Sequence, residues 1–75
     1  MSSEAHAVVV VHSTSHAMKI TRRLKERGLA WKLVPVPRHI SSDCGVCVRI
    51  LRADVEAVRS AVAELGVEIV GIEEI

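Results

Sequence analysis

Aromatic side chains are almost missing from this chain of 75 residues: Trp31 stands alone, with no Phe and no Tyr. Binders of single-stranded nucleic acid stack bases on aromatic rings, and here there is almost nothing to stack on. Charge of one sign is lacking too. Ten Lys and Arg stand against nine Asp and Glu, a formal net charge of +1, whereas proteins that live on phosphate contacts are strongly basic. Nucleic acid is therefore set aside as a partner. Two cysteines are too few to staple a secreted scaffold. Two prolines and an apolar fraction of 49% do not describe a disordered chain. The apolar run Ala7–Val11 is far short of the roughly 20 residues that span a bilayer. It is also too short for a signal-peptide core, and no Lys or Arg precedes it. The expected location is the cytoplasm, where thiols stay reduced. No membrane partner and no cofactor is expected.

What remains is one small globular domain with a thin stability margin. Residues 1–6 are expected to fray, with the domain over 7–75. Ala7–Val11 is β-branched and apolar, bounded by His12-Ser13-Thr14, and reads as a central strand buried on both faces. Ser13, Thr14 and Ser15 are good helix caps. Ala17, Ile20 and Leu24 then repeat at helical spacing, with Lys19, Arg22, Arg23, Lys25 and Arg27 over much of the opposite face, and Gly28 follows as a stop. This predicts a helix over 15–27. Leu29–Val36 reads as a second strand, placed at an edge because Pro35 and Pro37 lack backbone donors. Residues 37–44 form a loop, Val46–Leu51 a third strand, Ala53–Leu65 a second helix ended by Gly66, and Val67–Ile72 a last strand.

The order βαββαβ predicts an α+β, ferredoxin-like arrangement: a four-stranded antiparallel sheet, order 4-1-3-2, with two helices on one face. That topology gathers His12, Ser13, Thr14, His16, residues 37–42 and Cys44 at one edge. Cys44 sits in a polar loop beside Gly45, where a partner can come close to the backbone. The first helix points its N-terminus at this edge, and that end favours an anion. A thiolate there is favoured and is a better nucleophile; Arg38 adds positive charge and Asp43 opposes it. The plainer reading of Cys44 is a loop cysteine without a role.

Cys47 completes a C-x-x-C with Cys44. Such a pair suggests a redox disulfide or a metal clip. However, Val46–Ile50 alternates like a strand, and three residues of strand span about 10 Å, beyond the roughly 7 Å Cα separation that a disulfide allows. Cys47 is thus expected on the sheet face. A Cys/His metal site from Cys44, Cys47, His12, His16 and His39 is conceivable, but the spacings follow no zinc-site pattern. Solvated or capping histidines are the plain alternative. Charge is lopsided along the chain. Residues 19–38 hold seven basic side chains and one acid, whereas residues 54–75 hold six acids and one Arg. Two solvated helix faces are the usual meaning; a partner-docking surface is the sharper one.

His12-Ser13-Thr14-x-x-Ala17 after a strand, followed by Val34-Pro35-x-Pro37-Arg38-x-Ile40-Ser41-x-x-Cys44-Gly45, resembles the selenium/sulfur carrier-like family of small bacterial domains. The likeness covers about residues 7 to 75. It implies that Cys44 carries persulfide or perselenide, with Ser13, Thr14, Pro37, Arg38, Ser41 and Gly45 matching the motif around it. The family often has an acid in the middle of the first helix, where this chain reads Lys19-Ile20-Thr21-Arg22-Arg23. Ser41 and Ser42 are expected to donate hydrogen bonds to the bound anion. The resemblance implies a donor enzyme of the desulfurase type and an acceptor protein. A carrier or accessory protein is expected rather than a turnover enzyme. The alternatives are the Cys/His metal-binding domain and a non-catalytic dimeric or regulatory interaction module. The dimer reading rests on an apolar sheet face with Val side chains, Cys47 and Leu51 turned away from the helices, which invites a homodimer.

Overall fold

A computed structural model describes residues 5–36 and 45–74. The elements are β1 (His6–Val11), α1 (Thr14–Glu26), β2 (Lys32–Pro35), β3 (Val46–Leu51), a 3-10 turn (Arg52–Asp54), α2 (Val55–Leu65) and β4 (Ile69–Glu74). The strands form one sheet in the order β2-β3-β1-β4, and every pairing is antiparallel. This is the expected order read from the other edge.

Local chemistry explains the helix ends. Ser13 is extended (φ −153°, ψ 160°), and its hydroxyl accepts the His16 N–H at 3.3 Å, capping α1. At the far end Gly28 takes φ 71°. The Leu29 N–H reaches the Leu24 carbonyl at 2.9 Å and the Gly28 N–H reaches Lys25 at 3.1 Å. These are the two bonds of a Schellman ending, accompanied by packing of Leu29 on the Leu24 cluster. That ending takes Leu29 out of the strand, so β2 starts at Lys32 rather than at Leu29. α2 starts later than expected, after the 3-10 turn, and Asp54 gives it no side-chain cap. Gly66 closes it at φ 69°. β4 lies two residues further along than expected, with a register shift where it passes Val10 and Val11. His6 does not belong to a frayed end: it opens β1 opposite Leu51.

Strand alternation divides the interior in two. Ala7, Val9, Val11, Val48 and Ile50 face Ala17, Ile20 and Leu24 of α1 and Val58, Ala61 and Val62 of α2. Both helices therefore cover the same face. On the other face Val8, Val10 and Cys47 form a second, smaller cluster, with Val34 and Val36 packed on it. Thr21 is the buried polar residue of α1; its hydroxyl donates back to the Met18 carbonyl at 3.0 Å, which satisfies it locally.

Candidate functional site

β1 and β2 run one way and β3 and β4 the other. The end of β1, the start of α1, the end of β2 and the start of β3 therefore share one edge of the sheet. The end of α2 and the start of β4 arrive there as well. At this edge the Val36 N–H donates to the Gly45 carbonyl at 3.3 Å. The two ends of the 37–44 connection are thus held together beside the start of α1. Pro37, Arg38, His39, Ser41, Ser42 and Cys44 lie outside the described residues. Gly45 is exposed, and a Cβ there would meet none of the described residues within 4 Å.

Among the described candidates, Ser13 uses its hydroxyl to cap α1 and also lies 3.1 Å from the Ser15 hydroxyl. Thr14 is the first helical residue and is exposed, as is His12. Both flank the positive end of α1, which holds no acid in its first turn. His16 differs from His12. Its Nδ1 is buried and meets no hydrogen-bond partner among the described residues. The sequence carried no signal for this beyond the placement of His16 next to the buried Ala17.

Cys47 lies within β3, opposite Val10 on one side and Val34 on the other, and is fully buried. Its Sγ donates a long contact of 3.9 Å to the Pro35 carbonyl. It points away from the helices, as its alternation predicts. The sheet therefore separates Cys47 from His16, which belongs to the helix layer. Among the described residues no group of three His, Cys, Asp or Glu is placed to hold a metal ion; Cys44 and His39 fall outside that set. Val8 and Val10 are also fully buried within the single chain. The exposed apolar face on which the dimer expectation rested is thus already covered at these three residues, and Leu51 is half-buried.

The opposite edge has a hollow of about 410 Å³ lined by Ala5, Leu51, Arg52 and Ala53. Among the described residues its lining is mostly apolar and holds no nucleophile. There the Arg52 N–H donates to the Ala5 carbonyl at 3.0 Å, and its guanidinium lies 3.7 Å from Glu74.

Some of the lopsided charge is used inside the fold. Arg23 of α1 and Arg27, which caps its C-terminal end, both bond Glu64 of α2, Arg23 at 3.0 Å. Arg23 also reaches Glu26 at 3.3 Å. One flank of α1 is thereby tied to α2. No helix among the described residues is long and apolar enough to cross a membrane.

The family model described as "Putative Se/S carrier protein-like" matches residues 6–74, nearly the whole chain. The chain belongs to this family. Nothing among the curated proteins or the solved structures matches it. Of the two cysteines of this Se/S carrier-like domain, Cys47 is locked in the sheet, and Cys44 precedes Gly45 in the sequence, outside the described residues.

Proposed function

We propose that this chain carries sulfur or selenium on the thiolate of Cys44. The family match over residues 6–74 supports the reading most directly. The edge geometry adds to it: the connection that contains Cys44 is closed at its base by the Val36–Gly45 bond, beside the capped N-terminus of α1. The whole arrangement is proposed to be the ferredoxin-like one, which the βαββαβ order and the strand order support.

The loading step is a thiol exchange. The Cys44 thiolate attacks the outer sulfur of a persulfide held by a donor enzyme of the desulfurase type. A new S–S bond forms on Cys44, the donor's S–S bond breaks, and its electron pair leaves with the donor thiolate. The proton stays on the transferred sulfur, and no oxidant or cofactor is consumed. Selenium in the outer position follows the same course. In this reading Arg38 and the first N–H groups of α1 stabilise the Cys44 thiolate before transfer, and the persulfide anion once its proton has passed to solvent. Ser41 and Ser42 donate hydrogen bonds to it, Ser13 and Thr14 fix the start of α1, and Pro37 and Gly45 shape the connection. Delivery to an acceptor protein reverses the exchange.

The test is intact mass after incubation with a small-molecule persulfide, followed by peptide mapping. The reading expects a gain of one sulfur on Cys44 and none in Cys44→Ser. Sulfur retained by Cys44→Ser, or mapped to Cys47, overturns it.

A further inference from the structure

Four large apolar side chains stand exposed among the described residues: Met18, Trp31, Leu33 and Val70. Three of them belong to α1 or to the approach and body of β2. Met18, Arg22 and Lys25 follow one another at i, i+4 and i+7, so they form one stripe along α1. Arg23 and Arg27 lie on the other flank, the one tied to Glu64 of α2. The Met18 stripe is therefore the flank turned away from α2. Since α1 packs over β3 and β1, and β2 lies beyond β3 in the sheet, this flank overlooks β2. Leu33 sits opposite Val48, whose side chain belongs to the helix-side core. Leu33 thus points to the same side of the sheet as α1, yet it stays 37% exposed, with Met18 at 55%. Beside this apolar pair, Arg22 and Lys25 meet no acid among the described residues, whereas Arg23, Arg27, Arg52 and Arg59 all do.

We propose that the outer flank of α1, together with Leu33 of β2, is a docking surface for an acidic amphipathic helix of a partner protein. Met18 and Leu33 take the apolar face of that helix, methionine being well suited to adapt its shape. Arg22 and Lys25 meet its acids at the rim, where they guide encounter and exclude basic partners. A second copy of this chain fits less well. Among the described residues its acidic side offers Val70 as its one large exposed apolar group, and seating that side on α1 of a copy is a head-to-tail contact that does not close into a pair. The surface makes no use of Cys44, so this inference stands whether or not the chain carries sulfur.

The probe is a synthetic helical peptide of about 18 residues with a leucine stripe and glutamates elsewhere. Two controls accompany it: the same peptide with lysines for glutamates, and a leucine-free glutamate peptide. Binding is followed on the isotope-labelled chain by amide shift mapping. The acidic leucine peptide should move Met18, Arg22, Lys25 and Leu33, bind at least about tenfold more tightly than either control, and weaken as salt rises. The double variant Arg22→Glu/Lys25→Glu should reverse the preference between acidic and basic peptides while its thermal unfolding stays unchanged. The proposal is overturned by shifts confined to other surfaces, by equal binding of all three peptides, or by equal binding of the leucine-free peptide. It is also overturned by self-association through this flank, or by preferential binding of an oligonucleotide there.

Discussion

The two faces of the sheet bury residues of the same kind in very different numbers. On the helix side, 11 buried residues from β1, β3, α1 and α2 interlock, with partly buried Leu29, Val46, Val55, Leu65, Val67, Ile69 and Ile72 around them. On the other side three residues, Val8, Val10 and Cys47, are buried, with Val34 and Val36 against them. The first cluster joins β1, β3, β4 and both helices and supplies most of the stability. The second lies along β1 and β3 near the edge where Cys44 joins the fold. A small chain thus concentrates its stability on one face and leaves the other to hold a short stretch of sheet in register beside the candidate site.

Leu24→Ala is the strongest test of that contrast. Leu24 is fully buried in the large cluster and also accepts the closing bond of α1 through its carbonyl. The expected cost is about 2–5 kcal/mol, a large share of the stability of a domain this small, and urea unfolding followed by circular dichroism measures it. Cys47→Ser probes the small cluster. A hydroxyl placed among Val8, Val10 and Val34 should cost about 1–3 kcal/mol, whereas Cys47→Ala should cost clearly less than Cys47→Ser. If serine were as stable as cysteine, the small cluster would not be a dry one. His16→Leu removes the buried Nδ1 that has no partner among the described residues. It should leave the midpoint unchanged or raise stability by up to about 1 kcal/mol, and a loss would reveal a bond that the imidazole makes. Smallest of all is Glu64→Gln at the helix–helix rim. Its two arginines are partly exposed, so the expected loss is under about 1 kcal/mol and fades with added salt.

The residues told much of this in advance. The Val46–Leu51 strand matches its expected bounds because β-branched alternation begins directly after Gly45. The stop at Gly28 was legible from a basic last turn followed by glycine. The shortening of β2 was not, because it depends on where Leu29 goes once the helix closes on Leu24. The offset of β4 was hidden for a similar reason. Val67 and Glu68 are as strand-like in pattern as Ile69, and only the register against Val10 and Val11 decides where pairing starts. Alternation placed Cys47 on the face away from the helices, but not its complete burial, which requires knowing what lies over it. Which arginines meet Glu64 is a contact across about 40 residues of sequence, and no local pattern encodes it. The edge shared by the ends of β1 and β2 and the starts of α1 and β3 was legible as topology alone, since antiparallel order fixes which ends meet; Cys44 itself lies outside the described residues.

The carrier proposal needs two unlike thiols: Cys47, sealed in the sheet, and a Cys44 open to reagents. Timed alkylation of the native chain, quenched and read by peptide mapping, measures that difference directly. Cys47 can react only when β3 opens locally, so Cys44 should be labelled at least about tenfold faster, and the ratio should collapse to near one in urea. Equal rates in the native chain, faster labelling of Cys47, or recovery of a Cys44–Cys47 disulfide would contradict it.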